Sequence, residues 1–300
     1  MAIYLNTDTA LRNFNELANS KYFIDKSNIL RKLNTFISTP NKYICITKPR
    51  RFGKSSIINM LGAYYTKGYN SKDIFDKLNI SKEKSYLENL NKYNVINISF
   101  SDIPSDGLTY SNYISNIEKQ IKKDILEIFK DKKIEQNQEL YKIFLETKEE
   151  FVFIIDEWDY IFSHNLFKEN QDDFLEFLRN ILKDKEYVSL AYMTGVLPIK
   201  QYSTGSALNM FNEYTMLNDR IYAEYFGFTE EEVKGLCSEE NSVSFKEIKE
   251  WYNGYTTNKG KSIYNPRSVV CALRDDYCKS YWTSTGAMDE VLFYLKYKIS

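Results

Sequence analysis

Gly53, Lys54, Ser55 and Ser56 follow a short apolar run rich in β-branched residues, Tyr43 to Thr47, and a helical pattern (Ile57, Ile58, Met60, Leu61) begins directly after them. Strand, loop and helix in that order form a device for holding a phosphate chain. A glycine before the lysine lets the backbone curl so that its N–H groups point at phosphate oxygens, and the positive end of the new helix adds to the attraction. Lys54 is placed to reach β- and γ-phosphates, and the hydroxyl of Ser55 to bind Mg²⁺. The whole loop reads Lys48-Pro49-Arg50-Arg51-Phe52-Gly53-Lys54-Ser55-Ser56, and Lys48 stands where the full pattern has glycine. Arg50 and Arg51 add guanidinium groups suited to phosphates or to an acidic partner.

Such a loop needs an acidic partner on a buried strand. Phe151-Val152-Phe153-Ile154-Ile155-Asp156-Glu157 has that form. Asp156 is expected to hold Mg²⁺ opposite Ser55, and Glu157 to orient and deprotonate an attacking water. An Asp-Glu pair can equally end a strand in solvent. What favours chemistry is that both motifs occur in order on elements of the right kind. A third run, Val188 to Gly195, ends in Thr194, the candidate for sensing a γ-phosphate, although a Thr-Gly pair can also simply begin a loop. Arg220 and Arg267 are candidate arginine fingers, or surface ion-pair residues. His164 is the single histidine and the four cysteines show no paired spacing, so a zinc site is not expected.

The elements that must position these groups alternate. Strands are expected at Tyr43–Thr47, Val95–Phe100, Phe151–Ile155, Val188–Thr194 and Ile221–Phe226, with helices at 55–65, 110–129 and 172–183. Strands separated by helical crossovers imply an α/β fold with a parallel sheet covered on both faces, whose strand ends share one edge. After Gly227 the character becomes helical, with Thr229 as a helix cap and helices over 244–252, 266–276 and 288–296. The expected organisation is a core over 1–228 and a helical, lid-like subdomain over 229–300. The chain stops at Ser300 just after an apolar pattern, an ending expected of a fragment.

A chain of 300 residues with 43% hydrophobic and 27% charged residues can bury a sizeable core. Its net charge of −1 gives no reason to expect a nucleic-acid partner, and a local patch at Lys119, Lys122 and Lys123 suits a solvated helix face better. No run is long enough to span a bilayer and no signal peptide is evident, so a cytoplasmic protein is expected. The 25 Tyr and 19 Phe read as compositional bias.

Further runs complete a recognisable series: Tyr22-Phe23-Ile24-Asp25-Lys26, Ile155-Asp156-Glu157-Trp158-Asp159, Met193-Thr194-Gly195-Val196, Phe226-Gly227-Phe228-Thr229-Glu230-Glu231-Glu232-Val233, Trp251-Tyr252-Asn253-Gly254-Tyr255 and Tyr264-Asn265-Pro266. With the Lys48–Ser55 loop, this series resembles the AAA-ATPase-like family from about Tyr22 to about Gly286. That family's loop also lacks the first glycine and reads Arg-Pro-Arg-Arg-Phe-Gly-Lys. The resemblance implies a P-loop NTPase core of the additional-strand type followed by a helical lid, with Phe23 to Lys26 helping to form an adenine pocket. Many members carry a further restriction-endonuclease-like domain, which does not transfer to this chain. The function expected is therefore an Mg²⁺-dependent ATPase acting as a switch, with ATP and Mg²⁺ as ligands, a protein partner and room for oligomerisation. The alternative is a non-hydrolysing nucleotide- or protein-binding module, or the regulatory part of a nucleic-acid-processing or defence system.

Overall fold

Three of the apolar runs are buried from end to end, apart from the terminal Asp156: β1 (Tyr43–Thr47), β3 (Phe151–Asp156) and β4 (Val188–Gly195). Strands so apolar are stable only where both sheet faces are covered. In the computed structural model, which describes residues 2–103, 109–202, 207–216, 218, 221–237, 242–257 and 260–281, they form the middle of a five-stranded sheet. Its order is β2 (Asn94–Ser99), β3, β4, β1, β5 (Asn212–Tyr214), and every pairing is parallel. β4 thus lies between the loop-bearing β1 and the acid-bearing β3, the additional-strand arrangement.

Strand alternation sends successive side chains to opposite faces. Phe151, Phe153 and Ile155 join one core layer, with the helices Tyr110–Ile128, Leu140–Thr147 and Gln171–Leu182. Val152 and Ile154 join the other, with Thr9–Ala18, Asn28–Asn34 and Lys54–Tyr65. The abundant aromatics are used in these layers. Phe144, Phe151, Phe153 and Tyr187 pack ring against ring, and the Tyr43, Tyr113 and Tyr187 hydroxyls donate to the carbonyls of Leu182, Phe100 and Ile181.

Two expectations change. The fifth strand is Asn212–Tyr214, not Ile221–Phe226, which contains a 3₁₀ turn at Ala223–Tyr225. Tyr222 and Phe226 are four residues apart and both enter the same core layer, a helix-like spacing. The region after Gly227 is also not helical alone. A small antiparallel sheet, β6 (Phe228–Thr229), β8 (Ser262–Tyr264) and β7 (Tyr255–Thr256), sits among the helices Glu230–Leu236, Phe245–Tyr252 and Pro266–Asp275. Thr229 and Ser244 each close a capping box with a glutamate three residues on. Arg220 and the expected helix over 288–296 lie outside the described residues. No helix among the described residues is long and apolar enough to cross a membrane.

Candidate functional site

The parallel registers bring Thr47, Gly195 and Asp156 to one sheet edge: Thr47 is level with Gly195, and Ile155 with Met193. Ligands of open α/β sheets bind outside that edge. Here Gly53 takes a left-handed φ of 86°, which a side chain disfavours, and the 12-residue helix Lys54–Tyr65 starts from it. The Lys54 ammonium is buried in the loop, donating to the carbonyls of Lys48 (2.8 Å) and Pro49 (2.9 Å). Ser55 Oγ donates to Asp156 Oδ2 at 3.1 Å. Two residues 101 positions apart in sequence are therefore in contact.

Glu157 lies beside them on the cavity wall with φ 49°. A non-glycine residue in that region costs on the order of 1–3 kcal/mol, and the neighbouring bonds hold it there. Its own N–H donates to Asp156 Oδ1 (3.0 Å), and the N–H of the fully buried Trp158 donates to the Thr194 carbonyl (3.2 Å). Burial, and then the charge of Glu157, push the Asp156 carboxyl up to about 6, with Lys54 and Ser55 only partly opposing.

Asp159 is a further cavity-lining residue that the sequence did not single out. Nearly fully buried, it accepts hydrogen bonds from the N–H groups of Val196 (3.1 and 3.2 Å) and Leu197 (2.7 Å), tying the end of β3 to the end of β4. Burial raises its pKa, while those N–H groups and Lys54 oppose the rise. Only glycine fits at position 195, because a Cβ there would lie 2.2 Å from Asp159 Oδ1 and 2.7 Å from the Trp158 ring. The identity of Gly195, the last residue of a buried strand, is the sequence signal for this crossing.

A cavity of about 720 Å³ opens over these groups, a size suited to a small organic ligand. Its lining combines apolar side chains (Phe14, Leu17, Tyr22, Phe23, Ile24) with the charged and polar Arg50, Arg51, Lys54, Ser55, Glu157 and Arg267. Tyr160, Ser163 and His164 also reach it, the last stacked on Tyr160 with ring centroids 3.9 Å apart. Among the described residues no cluster of three or more His, Cys, Asp or Glu could hold a metal ion by itself. The oxygen pair Ser55–Asp156 nonetheless suits Mg²⁺, which takes one or two protein oxygens and completes its shell with phosphate and water.

Three expected site residues are placed differently. Thr194 is buried and its hydroxyl donates to the Ile46 carbonyl at 2.8 Å, a bond inside the sheet that turns it away from the loop. Lys48 is fully buried, its ammonium 3.5 Å from the Thr215 carbonyl and 5.8 Å from the centre of the Phe226 ring. Phe52 lines the cavity, but its ring is fully buried and packs edge-on to Tyr255 at 4.7 Å.

Comparison with known proteins adds to this geometry. Among curated proteins none matches the chain. A similar solved structure is that of C. elegans PCH-2, with 13% identity and a TM-score of 0.29, covering 77% of this chain and 45% of that one. This chain thus spans less than half of the PCH-2 chain, and a likeness at that score carries no weight. A family model described as predicted AAA-ATPase matches residues 9–204. That span, about two thirds of the chain, includes the phosphate loop, the acid strand and the strand between them, so the protein belongs to the predicted AAA-ATPase family and is a nucleotide-binding protein of the ATPase type.

Proposed function

We propose that this protein binds ATP with Mg²⁺ in the cavity over the sheet edge and hydrolyses it, and that the nucleotide state is a switch read by a protein partner through a lid, residues 229–300, on a core of residues 1–228. The observation that carries this reading is the 3.1 Å contact of Ser55 with Asp156 beside Lys54 and Glu157. The apolar lining residues would take the base, with Phe23 to Lys26 among them, and the loop would take the phosphates. Lys54 would exchange its bonds to the loop carbonyls for β- and γ-phosphate oxygens, with Pro49, Gly53 and Ser56 completing the cradle. Ser55 and Asp156 would hold Mg²⁺. Bound there, the ion supplies neutralisation of charge on the phosphate oxygens.

Glu157 would accept a proton from water as the water oxygen bonds to the γ-phosphorus and the bond to the bridging oxygen of the diphosphate breaks. Arg50, Arg51 and Arg267 also line the cavity, and would be the groups to stabilise charge spread over the transferred group. Steady-state phosphate release tests the reading: removing a general base costs roughly 10²–10⁴-fold, and Glu157→Gln is expected to lose that much while still binding ATP. Wild-type protein that neither binds ATP nor releases phosphate would refute it.

One observation favours a second reading, a nucleotide-binding module without turnover. The Thr194 hydroxyl, which would sense the γ-phosphate, is engaged by Ile46. Calorimetry with ATP separates the two readings, since tight binding without phosphate release belongs to the module.

A further inference from the structure

The loop segment Arg50-Arg51-Phe52 is held at four points by residues that follow Phe226 in sequence. The Arg50 carbonyl accepts from the side-chain amide of Asn265 (3.4 Å), and the Phe52 carbonyl from the N–H of Gly227 (3.0 Å). The Phe52 ring is fully buried against Tyr255, and Arg51 donates to the Tyr281 carbonyl at 3.2 Å. Gly227 has a φ of 80°, and a Cβ on it would lie 2.3 Å from Ile263 Cγ2 and 3.2 Å from the Phe52 ring. Asn265 works in two directions: its side-chain oxygen caps the helix Pro266–Asp275, which carries Arg267 into the cavity, while its nitrogen bonds the loop.

We infer that Phe52 is a positioning residue: held between Gly227 and Tyr255, it makes the conformation of the phosphate loop and the docking of the C-terminal region one equilibrium. This rests on the nucleotide-binding reading above and names the residues that transmit its state. A phosphate held by Gly53 and Lys54 fixes the residue next to Phe52, so it stabilises the docked region. Coupling is reciprocal, so loosening the grip must weaken phosphate binding even though Tyr255 is not among the residues lining the cavity.

Amide hydrogen exchange on the full chain tests this in two arms. Without nucleotide, Tyr255→Ala is expected to speed exchange at Gly53, Lys54 and Gly227 roughly tenfold, within the usual range of coupling between sites. Tyr255→Phe, which keeps the ring, should stay within about twofold of wild type. Unchanged loop exchange in Tyr255→Ala overturns the inference without any appeal to nucleotide. In the second arm, ATP with Mg²⁺ should slow exchange in wild type at the loop and also at Gly227 and Phe228–Thr229. Protection confined to the loop overturns the coupling and leaves the nucleotide site intact. Absence of protection anywhere, with the first arm positive, overturns the nucleotide reading and upholds the mechanical link. Phe52→Leu serves as a second variant that keeps an apolar side chain in the slot.

Discussion

The two halves of this molecule are built by different means. The five-stranded sheet is covered by two apolar layers, and the candidate site residues stand at the ends of its buried strands. The region after Gly227 has strands of two and three residues and a small cluster of its own. Segments lining the cavity bind it to the core. Tyr22 donates to the Leu273 carbonyl, Lys26 pairs with Glu232 at 2.6 Å, and the 50–52 segment is gripped as described. A rigid half thus carries the candidate site, and a lighter half rests on the parts of the rigid one that line the cavity. That is the arrangement a nucleotide-dependent change of docking requires.

Breaking one half should leave a different signature from breaking the other, and two glycines make the contrast. Gly195→Ala forces a Cβ against Asp159 and Trp158 inside the rigid half. Overpacking of that kind costs about 3 kcal/mol or more, and a fall in Tm of roughly 6–12 °C by calorimetry is expected. Gly227→Ala forces a disfavoured φ and a clash with Ile263 at the border of the lighter half. It should cost less, about 1–2 kcal/mol, and show first as proteolysis after Phe226 while the sheet keeps its circular-dichroism signal. Equal global loss in both variants would mean that the halves fold as one unit.

A pH-dependent effect falls on the Asp156 carboxylate of the rigid half. Asp156 has a carboxyl pushed from 3.8 to about 6, so between about pH 4 and pH 6 the folded protein keeps a proton that the unfolded chain has released. Stability without Mg²⁺ should therefore fall as pH rises through that window and level off above it. Asp156→Asn should remove that part of the slope, measured by urea unfolding at several pH values. In wild type, Mg²⁺ affinity should rise about tenfold per pH unit below 6 and flatten above it. Smallest of all, Arg267→Ala should weaken ATP binding about two- to fivefold, since the residue is exposed in the absence of ligand and its contact would be a partly screened one.

How much of this was legible follows the same division. Lys54, Ser55, Asp156 and Glu157 could be brought together from spacing alone, because parallel strands deliver their ends to one edge whatever the side chains do. The place of β4 between β1 and β3 was implied by the family resemblance, since spacing alone does not order the strands. The direction of the Thr194 hydroxyl was not legible, since a strand-end hydroxyl chooses between solvent and a neighbouring carbonyl by packing. Phe52 read as part of a phosphate cradle, and its edge-on packing against Tyr255, some 200 residues later in sequence, shows only in the structure. Strands as short as Phe228–Thr229 and Tyr255–Thr256 are below the length at which alternation can show.

The central claim, that the loop of the rigid half binds a nucleotide phosphate chain, is most directly tested by calorimetric titration of ATP with Mg²⁺ into wild type and Lys54→Ala. The prediction is one site per chain in wild type and an affinity roughly 10- to 100-fold weaker in the variant, the loss expected for a charge-assisted bond. Equal affinities in the two proteins, or no binding to either, would contradict it.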